Sequence, residues 1–239
     1  MSRGCRLGLA AFLLVLAGCA TAPGPTGPAG PGAGLVTPRA GQVWQAVCFR
    51  MPFDAAGRPV WARDLALADR VIAPALAAHA AEIPLWRFHR RAAADAAGHQ
   101  FSVLVYAHPD VHADLRKRFE EAPLLAGWRA HGEVREVAFD CRATQRSPDV
   151  AATSDTAWDP AMQRAWPHFI MGVSASWLAL VREFAADIPD DAPDLVAAYA
   201  KVEARITRLW GEQGQHAFLH HLGAVFGYRP LRIQTWMNY

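Results

Sequence analysis

Apolar residues at Val43, Val47, Phe49 and Met51 alternate with other residues over 43–53, the two-residue period of a strand. Asp64 stands where a helix cap is expected, ahead of a stripe of Leu65, Ala68, Val71, Ile72 and Leu76. A helix is therefore predicted to about residue 81, with Pro74 placed to kink it. Residues 85–91 read as a second strand, with Trp86 and Phe88 on one face and Arg87, His89 and Arg91 on the other. A hairpin connection over 92–98 leads to a third strand, 100–107, which should pair antiparallel with the second. Pro109 opens a helix to about residue 121, with Asp110 and Asp114 early and Arg116, Lys117 and Arg118 late, as the helix dipole favours. Alternation returns over 134–141.

The resulting order, β-α-β-β-α-β over residues 42–141, is the split pattern of a ferredoxin-like domain. It predicts an α+β fold in which strands one and three are central and strand four lies beside strand one. Residues 142–157 are polar without period and read as a linker or long surface loop. From residue 158 to 239 the pattern turns helical. Asp159-Pro160 starts a helix whose Phe169, Ile170, Val173, Trp177, Leu180, Val181 and Phe184 recur at spacings of three and four. The stretch 169–181 is too short to cross a membrane and reads as a buried helix. An acidic turn over 187–194 precedes a second helix with Leu195, Tyr199, Val202, Ile206 and Leu209. Gly211 and Gly214 are expected to break or bend the chain before a third helix, 216–226, and an extended tail over 231–239. Helices this short are expected to pack on one another and on the sheet.

The N-terminus follows a different logic. Arg3 and Arg6 precede an apolar run over 7–16 that is shorter than the roughly 20 residues of a membrane span, the layout of a signal peptide. The run ends in Leu16-Ala17-Gly18-Cys19, which resembles the lipobox of bacterial lipoproteins. The resemblance implies cleavage after residue 18, diacylglyceryl and fatty-acyl (palmitate-type) modification of Cys19, and a lasting hold on a membrane, since two or more chains suffice for stable anchoring. With Ala20 and not Asp after the cysteine, it further implies the outer membrane, facing the periplasm, in the cell envelope. The competing reading is an ordinary signal peptide cleaved at a nearby Ala-x-Ala-like pattern. Residues 20–41, rich in Pro, Gly, Ala and Thr, have too little apolar content to fold and read as a tether reaching up to roughly 60 Å.

Charge and chemistry narrow the choices. The chain has 24 Lys+Arg against 22 Asp+Glu, and loss of Arg3 and Arg6 with the signal peptide leaves the two equal, which gives no support to a nucleic-acid partner. After processing, Cys48 and Cys141 remain besides Cys19: a candidate disulfide in an oxidising compartment, or two separate buried thiols. His216, His220 and His221 lie on one helix, with His216 and His220 one turn apart, a spacing from which two imidazoles can share a zinc ion. Structural or surface histidines compete with that reading. Arg87, His89 and Arg91, with His99 and Gln100 across the hairpin, form a candidate anion or sugar site against the alternative of a solvated sheet face. The nine tryptophans fall mostly at apolar positions and read as core. There is no G-x-S-x-G, Gly-rich phosphate loop or C-x-x-C. The expectation is a cell-envelope lipoprotein that binds an envelope protein or small ligand in a groove between sheet and helices. The alternative is a metal-dependent envelope enzyme using the helical histidines.

Overall fold

In the computed structural model the described residues are 40–93, 95–141 and 146–229. The expected signal peptide, Cys19, most of the tether and the tail at 231–239 lie outside them. Four antiparallel strands, β1 (Val43–Met51), β2 (Leu85–Ala92), β3 (His99–Ala107) and β4 (Glu136–Phe139), form one sheet in the order β2-β3-β1-β4. With β1 and β3 central, every residue of β3 is buried, which explains its nearly unbroken apolar run. The helices are α1 (Trp61–Leu67), α2 (Ala73–Ala78), α3 (Pro109–Glu121), α4 (Pro123–Ala130), α5 (Pro160–Ala185), α6 (Leu195–Leu209) and α7 (Gln215–Val225). None among the described residues is long and apolar enough to cross a membrane.

Alternation sends the two sets of strand residues to two cores. Val47, Phe49, Phe88, Phe101, Val103 and Val105 face α1 to α3 and the C-terminal helices, where Val181, Ala185, Tyr199 and Val202 complete the same cluster. Trp44, Ala46, Leu85, Leu104 and Tyr106 face the opposite way and are covered by Val150 and Met171. The segment expected to be a linker therefore closes the second face. Trp44 Nε1 donates to the Val150 carbonyl (3.1 Å), the Tyr106 hydroxyl to the Pro148 carbonyl (2.7 Å), and backbone bonds join Trp44 to Arg146 and Ser147.

Several boundaries differ from expectation for local reasons. The first helix starts at Trp61, so Asp64 lies within it and caps nothing. Pro74 has no N–H for the carbonyl four residues earlier, and the chain responds with a π turn at Ala68–Ile72 instead of a sharp kink. Helix α4, not foreseen, begins with Pro123 at its first turn and buries Leu125 and Trp128. Strand β4 is shorter than expected because Asp140 adopts a left-handed φ of 64°. That reversal turns Cys141 toward the β1 face carrying Cys48. The two are joined by a disulfide, with Cα atoms 6.1 Å apart, although Cys48 pairs in register with Ala138.

Long α5 keeps its course through Pro167 because the Gln163 carbonyl, left without its helical donor, accepts from the Ser154 hydroxyl at 2.7 Å. Gly211 and Gly214 do not break the next helix. They sit in a π turn, Trp210–Gly214, that carries α6 into α7, and a Cβ on Gly214 would lie 3.0 Å from the Trp210 ring. The expectation that every helix buries a stripe holds for α5 and α6 only in part: Phe169, Val173 and Trp210 are exposed. It fails for α7, which buries nothing.

Candidate functional site

The strand residues singled out from the sequence do not form one site. Register places Arg91 opposite Gln100, His89 opposite Ser102 and Arg87 opposite Leu104, all on the sheet face covered by Val150. His99 points to the other face, beside Trp61 and Phe53. The single-face reading failed because His99 and Gln100 are consecutive in a strand and must point apart.

On the first face each cation already has an oxygen. Arg50 bonds to Glu136 at 2.6 Å and contacts Gln100 at 3.4 Å, in a row that runs from β4 through β1 and β3 to Arg91 of β2. Arg91 is held by Asp95 at 2.5 Å, and the Arg91 guanidinium with the backbone N–H of Gly98 lowers the Asp95 carboxyl to about 2. Arg87 donates to the Thr153 carbonyl at 3.0 Å. Gln100 Nε2 and Cys48 Sγ both meet the Ser102 hydroxyl, at 3.1 and 3.3 Å. A row that neutralises itself offers a weak hold on a free anion.

The strongest polar arrangement is elsewhere, at the junction of sheet and helices. Asp64 and His99 are fully buried, and His99 Nε2 donates to Asp64 Oδ1 at 2.9 Å. The second Asp64 oxygen accepts from Arg90 Nε at 2.8 Å. The Arg90 guanidinium lies between two indoles, 4.7 Å from the Trp61 ring and 5.1 Å from that of Trp177, and reaches Glu203 at 3.5 Å. Burial holds the Glu203 carboxyl above the usual range, opposed by Arg90. Next to it the Tyr199 hydroxyl accepts from Arg70 and donates to Asp69, and burial, with the bond to Asp69, raises it. Arg70 also donates to the Ile188 carbonyl and pairs with Asp190.

A carboxylate–imidazole pair suggests general-base chemistry, but the geometry here opposes that use. Among the described residues no serine, cysteine or threonine bonds His99. Its Nδ1 is sealed from solvent with no hydrogen-bond partner among the described residues. Three hollows lie elsewhere: about 660 Å³ beside β4 with Arg129 and Arg135, about 650 Å³ around Arg70 and Arg182, and about 450 Å³ around His112 and Arg116. Where an open groove between sheet and helices was expected, Phe88, Phe101 and Trp177 fill the space, Phe88 meeting Trp177 edge to face and Phe101 tilted against both. A shallow, charged hollow around Arg70 lies near it.

Residues of this cluster were missed in the sequence, though a signal was present. Arg90 shares its strand face with Trp86 and Phe88, and His99 shares its face with Phe101, Val103 and Val105, so each is a polar residue in an apolar row.

The third candidate, His216, His220 and His221, is on α7 as expected. The rings of His216 and His220 stack at 5.5 Å, and His220 lies 5.6 Å from the Tyr228 ring. Among the described residues no three His, Cys, Asp or Glu side chains converge in a way that could hold a metal ion.

No protein-family model, curated protein or solved structure matches this chain.

Proposed function

We propose that this protein is an exported lipoprotein, cleaved before Cys19 and held by acyl chains at the periplasmic side of the outer membrane. There it serves as a non-enzymatic binding or interaction protein. The observation that carries this reading is the Leu16-Ala17-Gly18-Cys19 sequence, preceded in the required order by Arg3, Arg6 and the apolar run over 7–16. The Cys48–Cys141 disulfide supports it independently, because such bonds persist in oxidising compartments. The self-neutralised sheet row and the closed Asp64–His99–Arg90 cluster favour a binding role over catalysis, since neither presents a free nucleophile or base to a substrate.

Within this reading the sheet part is a ferredoxin-like unit. Its support is the element order with β1 and β3 central, the second crossover being made by the pair α3 and α4.

Labelling with a radioactive fatty acid in the producing bacterium tests the anchor. Wild type should take up label, and Cys19→Ser, which lacks the thiol that receives the diacylglyceryl group, should take up none. An unlabelled wild type, or equal labelling of the variant, overturns the reading.

A further inference from the structure

Helix α7 is the least explained element of the molecule. Phe218, Leu219, Leu222, Val225 and Phe226 recur at spacings of three and four and so share one stripe, while His216, His220 and His221 occupy the opposite half. No residue of the helix is buried, and Val225 and Phe226 are 83% and 69% exposed. Trp210, in contact with Phe218 at 6.0 Å, and Tyr228 extend the apolar surface at both ends. A stripe of this size left in water calls for a partner.

The flanking charges indicate which kind. From Gln213 to Tyr228 there is no Asp, Glu, Lys or Arg. Outside that window stand the exposed Arg208 and Arg229, with Glu212 at its N-terminal edge. Cations at both ends of an apolar, aromatic-bearing helix complement a layer of anionic headgroups above acyl chains. Eleven residues span only about 16 Å, roughly half of the hydrocarbon thickness, so such a helix lies in the interface and does not cross it.

We propose that α7 is a second membrane contact, docking its Phe218–Phe226 stripe into the surface of an anionic phospholipid bilayer. The proposal extends the anchoring reading, on which it rests for a bilayer being within reach. Aromatic and aliphatic side chains enter the acyl boundary, the histidine half faces the headgroups, and Arg208 and Arg229 pair with phosphates. An anchored chain would then lie against its membrane at two places: the N-terminal lipid and the C-terminal arm.

Vesicle flotation of the unlipidated mature chain, residues 19–239 with Cys19→Ser, tests the helix apart from the anchor. With vesicles of phosphatidylethanolamine and phosphatidylglycerol in a three-to-one ratio, this protein should float. The double variant Phe218→Glu with Phe226→Glu should bind at least tenfold less while melting at an unchanged temperature. Arg208→Gln with Arg229→Gln should bind several-fold less. A protein that stays unbound, a glutamate variant that floats equally, or equal binding to phosphatidylcholine vesicles overturns the proposal. So does a vesicle-independent dimer that the glutamate pair dissociates, which would assign the stripe to a second copy of the chain. Because this protein carries no lipid, failure here leaves the anchor standing, and failure of fatty-acid labelling leaves this result standing.

Discussion

The sheet–helix junction and the α7 arm are built from similar side chains and treat them oppositely. At the junction, Trp61, Trp177, Phe88 and His99 enclose a guanidinium and a carboxylate, and Arg90, Asp64 and Glu203 satisfy one another. On the arm, Trp210, Phe218, Phe226 and three histidines are exposed, with no covering layer among the described residues. Residue type therefore does not mark a functional surface. What separates the two regions is whether the described chain already answers each group: a closed polar cluster holds helices to a sheet, whereas the α7 stripe is left uncovered among the described residues.

The sharpest way to break this comparison is to remove the centre of the junction. Asp64→Ala strips His99 of its acceptor and leaves the part-buried Arg90 guanidinium with the long contacts to Glu203 (3.5 Å) and the Trp61 carbonyl (3.4 Å), a change expected to cost about 3–5 kcal/mol of unfolding free energy. Phe218→Ser on the arm should move stability by less than about 0.5 kcal/mol, because the ring is half exposed and its ring contact is with the equally exposed Trp210. Urea melts of both variants read the contrast directly. If Asp64→Ala is as mild as Phe218→Ser, the buried cluster is not what joins the helices to the sheet. Replacing Asp64 and Arg90 together by Leu and Met should recover part of the loss, since a well-packed apolar pair avoids the stranded charge.

How far the sequence revealed these regions depends on the range of the interactions. Strand positions and α3 were legible because period-two alternation and a proline start are local. The α7 stripe was equally visible, but its exposure was not, since a periodic apolar pattern predicts a partner without saying whether the chain supplies one. Asp64 reads as a helix cap in the sequence and its pairing with Arg90 escaped notice, because the two lie 26 residues apart and meet only when α1 packs on β2. The binding-site reading of Arg87, His89, Arg91 and Gln100 overlooked Asp95, Glu136 and the Thr153 carbonyl, each brought in by a different segment. The Cys48–Cys141 bond depends on the left-handed turn at Asp140, which an aspartate permits but does not announce.

A smaller effect sharpens the picture of how α5 meets the sheet. The Phe88 N–H of edge strand β2 donates to the Ser174 hydroxyl at 3.0 Å, and that hydroxyl donates in turn to the Ile170 carbonyl at 2.8 Å. Ser174→Ala leaves a buried amide without an acceptor, for an expected loss of about 1–3 kcal/mol. Native-state hydrogen exchange should localise it: the Phe88 amide loses protection first. Ser174→Gly, which also removes the hydroxyl, should expose the same amide. Unchanged protection in both variants would show that α5 seals this edge by packing alone.

The smallest expected effect concerns two histidines of the closed region, and its sign differs between them. His79 is bonded by Asp114 at 2.7 Å and Glu82 at 2.8 Å, and these carboxylates hold it above its ordinary value of 6.5. A group raised in the folded state contributes stability that is fully present below its unfolded value and lost as pH rises through the folded one. His112 is held below 6.5, chiefly by burial, while its Nε2 donates to the Val43 carbonyl at 3.0 Å. Its contribution runs the other way, present above 6.5 and lost as pH falls through the lowered value. Urea melts between pH 5 and about pH 9 should therefore show His79→Gln removing a decline on the alkaline side of the ordinary histidine range. His112→Gln should remove one on the acid side. Glu82 and Asp114 are well exposed, so the His79 effect should stay below about 1 kcal/mol. A His79→Gln curve parallel to wild type across the whole range would mean that water already screens both carboxylates. The α2–α3 contact would then owe its hold to packing and not to the ion pair.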